Sequence, residues 1–142
     1  MVIQLGHGGG SCPVPVNGGS NFVIMHTNGI HPVNIAFCGC PGTVTHRQQL
    51  LQHAWYPATV ENPQTCATFA LLNHFHLLTL QSKVSSIHFY DALVRETDNT
   101  GILHITVRVI VSFSLLEIYA FTHRVGIVCF DVWFENGGIS SC

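Results

Sequence analysis

The sequence predicts an α+β fold, in which a small β-hairpin precedes about three helices and an apolar, partly strand-like C-terminal tail. Two observations support this prediction. An Asn-Gly pair at 28–29 lies between two apolar runs, and after Thr45 the apolar residues recur with a helical period. A third observation limits the size, because 142 residues is the length of a single domain that can bury a core of its own.

The first elements are expected to be a loop and a hairpin. Residues 1–20 are rich in Gly, Pro and Asn and contain too few apolar side chains for a regular element. The apolar runs at 22–26 and 30–37 then flank the Asn-Gly pair, which is the strongest short-range signal of a hairpin. Pro32 has no backbone N–H to donate, so we expect it on an unpaired edge.

Three helices are expected after the hairpin. Thr45 can cap a short helix that runs to about residue 54 and is stopped by Pro57. A second helix is predicted from about 65 to 81, with apolar side chains on more than one face, which implies burial on several sides. A serine at 85–86 can cap the third, which ends at 97–101.

The C-terminal tail differs in composition from the rest of the chain. Residues 102–134 are rich in Val, Ile and Phe and alternate in part like a strand. A transmembrane span is not expected, because His104, Arg108 and Glu117 interrupt the most apolar stretch. The N-terminus lacks the basic and apolar segments of a secretory signal, so we expect a protein that is not secreted, with reduced cysteines.

Four residues form a candidate zinc site. Cys38 and Cys40 lie at the predicted exit of the hairpin, where Gly39 lets the backbone turn tightly enough to aim both thiols at one point. The Gly-rich loop supplies His7 and Cys12 as further ligands. Zinc in structural sites takes four N or S ligands in a closed tetrahedron, so the spacing predicts a zinc-stapled hairpin.

The alternative to a zinc site is that these cysteines are reduced and serve only as small apolar residues at the end of a hairpin. It leaves the Gly-rich loop without a visible anchor. A thiolate enzyme would instead pair Cys38 or Cys40 with His31 or His46, but nearness in sequence does not establish geometry and no nucleophile motif surrounds them.

Other histidines and cysteines are not expected to bind metal. His74 and His76 are two residues apart on a predicted helix and point to nearly opposite sides, so they cannot share one ion. Cys66, Cys129 and Cys142 are isolated in the sequence and are expected to be structural or incidental.

The net charge and the motifs of the sequence argue against several classes of function. Five Lys and Arg against seven Asp and Glu give a formal net charge of −2, which does not form a basic stripe for phosphates. No phosphate loop, hydrolase elbow or dinucleotide-binding glycine fingerprint is present. We therefore expect a non-catalytic module without a small-molecule substrate.

Several spaced motifs resemble one known family. They are LGHGGGSCP, TNGIHPVNIAFCGCP, RQQLLQHAWYPATVENPQT, FALLNHFHLLTLQSKVSS and FYDALVRETDNTG. In their order and their residues they resemble the second class of CxC-type cysteine-cluster domain, which is associated with the Kyakuja-Dileera-Zisupton (KDZ) transposases of fungi. The resemblance covers residues 4–101.

The resemblance implies a zinc-chelating region of a transposase that aids DNA recognition in the nucleus. His7, Cys12, Cys38 and Cys40 match the family's later ligand positions. The implied partners are the KDZ transposase catalytic domain and DNA. The sequence also leaves open a protein-interaction module that docks on the transposase body without DNA contact, and a transposon remnant without function.

The resemblance also predicts a chain truncated at both ends. The family's earlier C-x2-C pairs would precede Met1, and its RNase-H-like catalytic domain would follow the chain. We expect residues 1–101 to be the C-terminal part of the cysteine-cluster domain. After Gly101 the sequence departs from the family, so residues 102–142 are expected to be a divergent tail of translated noncoding sequence.

Overall fold

A computed structural model describes residues 2–7, 10–42 and 44–100. Within these ranges it has a six-stranded mixed sheet and three helices, which confirms the predicted α+β class. The strands are β1 (Val2–Gln4), β2 (Pro15–Asn17), β3 (Phe22–His26), β4 (Gly29–Cys38), β5 (Trp55–Pro57) and β6 (Thr65–Thr68). The helices are α1 (His46–Gln52), α2 (Phe69–Ser82) and α3 (Ser86–Thr97). The predicted strand-like tail at 102–134 lies outside the described residues.

The hairpin of β3 and β4 is confirmed, with its turn one residue earlier than the Asn-Gly pair suggests. His26 pairs with Gly29, so Thr27 and Asn28 form the turn. Gly29 has a φ of +131°, and a Cβ there would lie 2.7 Å from Oγ1 of Thr97, at the end of α3. Glycine is therefore needed for the close approach of α3 as well as for the backbone conformation.

The N-terminal segment is not the loop that the sequence predicts. β1 pairs with β4 in parallel and β2 pairs with it antiparallel, and Ala36 is the partner of both Gln4 and Asn17. The C-terminal half of β4 is thus flanked on both edges. Each flanking strand has only three residues, too few for an alternating pattern to be visible. β4 is an internal strand rather than the unpaired edge expected at Pro32: Pro32 is the partner of Val23 in β3, and β1 pairs with β4 on the other side at Asn34–Ala36.

The first predicted helix is confirmed but ends early. Thr45 caps α1 with a complete capping box, in which its side chain accepts from the Gln48 backbone and the Gln48 side chain accepts from the Thr45 backbone. The helix ends at Gln52, before Pro57, because the chain turns through Ala54 (φ 59°) into β5.

The second helix begins later than predicted. Residues 65–68 form β6, which pairs with β3 in parallel and with β5 antiparallel. Thr68 is the N-cap of α2 and accepts a hydrogen bond from the Leu71 backbone, so the helix starts at Phe69. The third helix is confirmed with Ser85 as its N-cap.

The sheet separates two apolar clusters, because successive strand residues point to opposite faces. On one face Met25, Ile30 and Ala67 pack against α2 and α3. On the other face a second cluster includes Leu50 of α1. Its other buried members are Leu5, Phe22, Ile24, Ile35, Phe37 and Cys66. In the described part of the chain, none of the helices combines the length and apolar character that crossing a membrane requires.

Candidate metal centre

Strands β1, β2 and β4 bring four potential metal ligands together. Cys38 is the last residue of β4, and Cys40 follows it after one glycine. His7 lies just after β1, and Cys12 lies between β1 and β2. Since β1 and β2 both pair with β4, their pairing carries His7 and Cys12 to the end of β4 where the other two thiols lie.

The backbone around His7 turns sharply towards Cys38. Gly6 and His7 both have positive φ, +87° and +52°. A Cβ on Gly6 would lie 2.8 Å from the Cβ of Cys38, so a larger residue would push the two segments apart. The carbonyl of His7 accepts a hydrogen bond from the Gly10 N–H at 3.0 Å. These constraints hold the backbone of His7 at a positive φ, which residues other than glycine rarely adopt.

The four ligand atoms form one compact group. The Sγ of Cys12 lies 3.4 Å from that of Cys38 and 3.6 Å from that of Cys40. The Nε2 of His7 lies 3.2 Å from the Cys38 sulfur and 3.4 Å from the Cys40 sulfur. All four atoms are within 4.8 Å of one another, and the group could hold a metal ion. Three thiols and an imidazole suit a soft or borderline cation.

The metal-free thiols interact strongly with one another. Desolvation acts to raise the pKa of Cys12, but hydrogen bonds from the Val14 backbone and the neighbouring ligand side chains outweigh it and lower the pKa to about 7. The pKa of Cys40 is raised to about 11 by hydrogen bonding with Cys38 and Cys12, by desolvation and by their negative charge. One thiolate is therefore favoured in the cluster, while further ionisation is opposed unless a cation is bound.

One side chain that the sequence analysis does not identify hydrogen-bonds to the backbone of Cys38. Gln49 of α1 is 2% exposed, and its Oε1 accepts a hydrogen bond from the Cys38 N–H at 2.8 Å. Its Nε2 donates to the carbonyls of Cys38 at 2.9 Å and Val44 at 3.0 Å. The sequence signal for such a role is that Gln49 is a polar residue next to Leu50 and Leu51, at a buried helix position where an apolar residue is usual.

The histidines of the alternative thiolate enzyme have other contacts. The Nε2 of His31 lies 2.9 Å from Oδ1 of Asn28, at the turn end of β4. The ring of His46 stacks on Phe37 at 4.1 Å between centroids. The sulfurs of Cys38 and Cys40 both contact the imidazole of His7.

The remaining candidate residues lie away from the group. His74 contacts the ring of Phe89, at 6.1 Å between centroids, on the face covered by α2 and α3. Cys66 is fully buried in the apolar cluster beside α1, and burial raises its thiol pKa. Cys129 and Cys142 lie outside the described residues.

Comparison with known proteins identifies a family that matches most of the chain. A family model described as "CxC2 like cysteine cluster associated with KDZ transposases" matches residues 1–101. No curated protein and no solved structure matches the chain. The matched range includes all four ligands and every strand and helix described above.

Proposed function

Because the chain belongs to the CxC2-like cysteine-cluster family associated with KDZ transposases, we propose that it is a non-catalytic, zinc-binding accessory module of such a transposase. The single observation that carries this proposal is the convergence of four ligand atoms within 4.8 Å. His7, Cys12, Cys38 and Cys40 are the proposed ligands. A nuclear location follows from this role.

The distances support zinc. With Zn–S near 2.3 Å and Zn–N near 2.0–2.1 Å, a regular tetrahedron separates two sulfurs by about 3.8 Å and a sulfur from a nitrogen by about 3.6 Å. The separations of 3.4 and 3.6 Å between sulfurs, and of 3.2 and 3.4 Å from sulfur to nitrogen, are a few tenths shorter. A small outward movement of each ligand would admit the ion.

The donor set supports a structural role. Catalytic zinc sites keep one position for water or substrate, whereas structural sites use four protein ligands. Here four protein ligands are available, and two of them, His7 and Cys12, come from a segment with few buried apolar residues. The ion would tie this segment to β4.

We test the zinc proposal by metal analysis and chelation. Purified protein is expected to contain one zinc per chain, and a strong chelator is expected to lower its thermal stability. Apparent binding free energies of about 10–16 kcal/mol at pH 7 are found for structural zinc in small fingers, so the effect should be large. Protein that contains no zinc and whose stability is indifferent to chelator would contradict the proposal.

The finer role that we propose for this module is to aid DNA recognition by the transposase. Support comes from the family's association with transposases. The charge content limits the electrostatic contribution, since the whole chain has five Lys and Arg. Binding to duplex DNA should therefore weaken with salt only shallowly, because each neutralised phosphate contributes about −0.9 to the slope of log affinity against log salt.

A docking module without DNA contact is the second candidate. It is favoured by the low basic content and by two exposed leucines on α2, Leu77 at 51% and Leu80 at 57%. A titration of duplex DNA at increasing salt separates the two roles. Binding at low salt that weakens only shallowly as the salt concentration rises supports DNA recognition. No detectable binding at low salt favours docking on the transposase body.

A further inference from the structure

We propose that Gln49 is a positioning residue of the metal centre, whose side-chain amide fixes the backbone of Cys38 and thereby sets the affinity for the ion. This inference rests on the proposed zinc site. It concerns a residue that is not itself a ligand and that lies on α1, an element that contributes none of the four ligands.

Cys38 lies where β4 loses its neighbour on one edge. β1 pairs with β4 up to Ala36, and the last hydrogen bond there runs from the Leu5 N–H to the Ala36 carbonyl at 2.8 Å. The chain then turns away through Gly6 and His7. Cys38 is buried, and buried backbone N–H and C=O groups need hydrogen-bond partners.

The Gln49 amide takes the place of the missing strand. Its oxygen accepts from the Cys38 N–H at 2.8 Å while its nitrogen donates to the Cys38 carbonyl at 2.9 Å. A primary amide presents an acceptor and a donor side by side, as the backbone of a neighbouring strand would. The third hydrogen bond, to the Val44 carbonyl, ties the chain between Cys40 and α1 to the same side chain.

The position of Cys38 matters to the whole centre. Its sulfur contacts both the Cys12 sulfur, at 3.4 Å, and the His7 imidazole, at 3.2 Å. A shift of the Cys38 backbone would therefore disturb two ligand pairs at once. Groups that orient metal ligands through hydrogen bonds have such an effect in other sites, where their loss weakens metal affinity by about 10–100-fold.

The test compares Gln49→Met with Gln52→Met in the full chain. Met has nearly the length of Gln but cannot make the three hydrogen bonds. Gln52 is the last residue of the same helix and is exposed. Each protein is titrated with Co²⁺, whose absorption bands report tetrahedral thiolate coordination, and Zn²⁺ is then added in competition.

We expect Gln49→Met to bind Zn²⁺ about 10–100-fold more weakly than the wild-type protein, with an altered Co²⁺ spectrum. Gln52→Met should keep the wild-type spectrum and affinity. Equal affinity of Gln49→Met and wild type would overturn the role of Gln49 and leave the zinc site intact. A wild-type protein that binds neither Co²⁺ nor Zn²⁺ would instead contradict the zinc site itself, and this inference with it.

A second measurement needs no substitution and stays informative if Gln49→Met fails to fold. In the metal-loaded wild-type protein, the side-chain NH₂ of Gln49 and the backbone N–H of Cys38 should be protected from hydrogen exchange. The side-chain NH₂ of the exposed Gln48 is the internal control. Exchange of the Gln49 amide as fast as that of Gln48 would overturn the proposal.

Discussion

Single cysteines in this chain have different surroundings, and these surroundings separate the proposed ligands from Cys66. Cys12, Cys38 and Cys40 lie beside one another and beside the His7 imidazole. Cys66 is instead fully buried among apolar side chains, where desolvation raises its pKa and disfavours the thiolate that a metal requires.

Substitution of one residue of each kind tests this difference. We expect Cys38→Ser to lose stoichiometric zinc, because the centre would keep only three of its four ligands. Cys66→Ala should keep one zinc per chain and lose about 1 kcal/mol of stability, the typical cost of deleting one heavy atom from a packed core. Metal analysis after dialysis, with chemical denaturation, measures both. Equal zinc content in the two variants would contradict the assignment.

The thiol pKa values predict how zinc affinity depends on pH. The pKa of Cys40 is raised to about 11, so this thiol is protonated in the metal-free protein at pH 8 and must lose its proton to coordinate. Cys12, whose pKa is about 7, is already mostly ionised at that pH. Zinc binding should therefore release protons, and its affinity should rise between pH 7 and 9.

Calorimetric titrations in buffers with different ionisation enthalpies count the protons released. At pH 8, at least one proton per zinc is expected, since Cys40 alone contributes nearly one. An affinity that does not change with pH, together with no proton release, would show that the thiols are not the ligands.

The four residues that converge could be predicted from sequence, but the contacts that bring them together could not. The residue types and the tight spacing of Cys38 and Cys40 indicate a metal site, and the family resemblance strengthens that prediction. Gln49 could not be identified as a supporting residue, because its partner Cys38 is eleven residues away and its hydrogen bonds depend on where β1 leaves the sheet.

Elements with local signals were predictable, whereas elements defined by distant partners were not. The side chains of Thr45 and Ser85 cap their helices by accepting hydrogen bonds from backbone N–H groups three residues further on. The hairpin of β3 and β4 closes over a two-residue turn. β1, β2 and β5 have three residues each and exist through pairing with other strands. The sequence predicts a helix at Thr65–Thr68 because its apolar residues continue into α2. In the structure this segment instead pairs with β3 as a strand of the sheet.

Two glycines with similar backbone conformations test the contact between the hairpin and α3. Gly29 and Gly19 have φ of +131° and +114°, but a Cβ would meet Thr97 only at Gly29 and would meet nothing within 4 Å at Gly19. Both alanine variants should lose stability through backbone strain. Gly29→Ala should lose a further ~1–3 kcal/mol from overpacking.

Chemical denaturation of the two glycine variants measures this difference directly. The Thr97 hydroxyl, which accepts from the Ile30 N–H at 2.7 Å, would have to move in Gly29→Ala. Equal losses in the two variants would mean that α3 does not pack against the turn as described.

At the scale of the whole molecule, the metal centre and the helical cluster occupy different regions of the sheet. The candidate centre brings His7 and Cys12 to the end of β4, while Met25, Ile30 and Ala67 pack with α2 and α3 on the face opposite Leu50 of α1. Removal of zinc should therefore loosen the N-terminal region before the helices.

Hydrogen exchange with and without chelator tests this order of events. On chelation, protection is expected to fall first at residues 2–5 and 16–17, which pair with β4 near the candidate centre. Protection in α2 and α3 should persist, because these helices keep their apolar cluster. Simultaneous loss of protection in all elements would show instead that the ion supports the fold as one cooperative unit.

X-ray absorption spectroscopy at the zinc edge of the purified protein tests the proposed zinc site most directly. One zinc per chain is expected, with three sulfurs near 2.3 Å and one nitrogen near 2.0–2.1 Å. A protein without zinc, or a spectrum dominated by oxygen and nitrogen ligands, would contradict the assignment of His7, Cys12, Cys38 and Cys40 as its ligands.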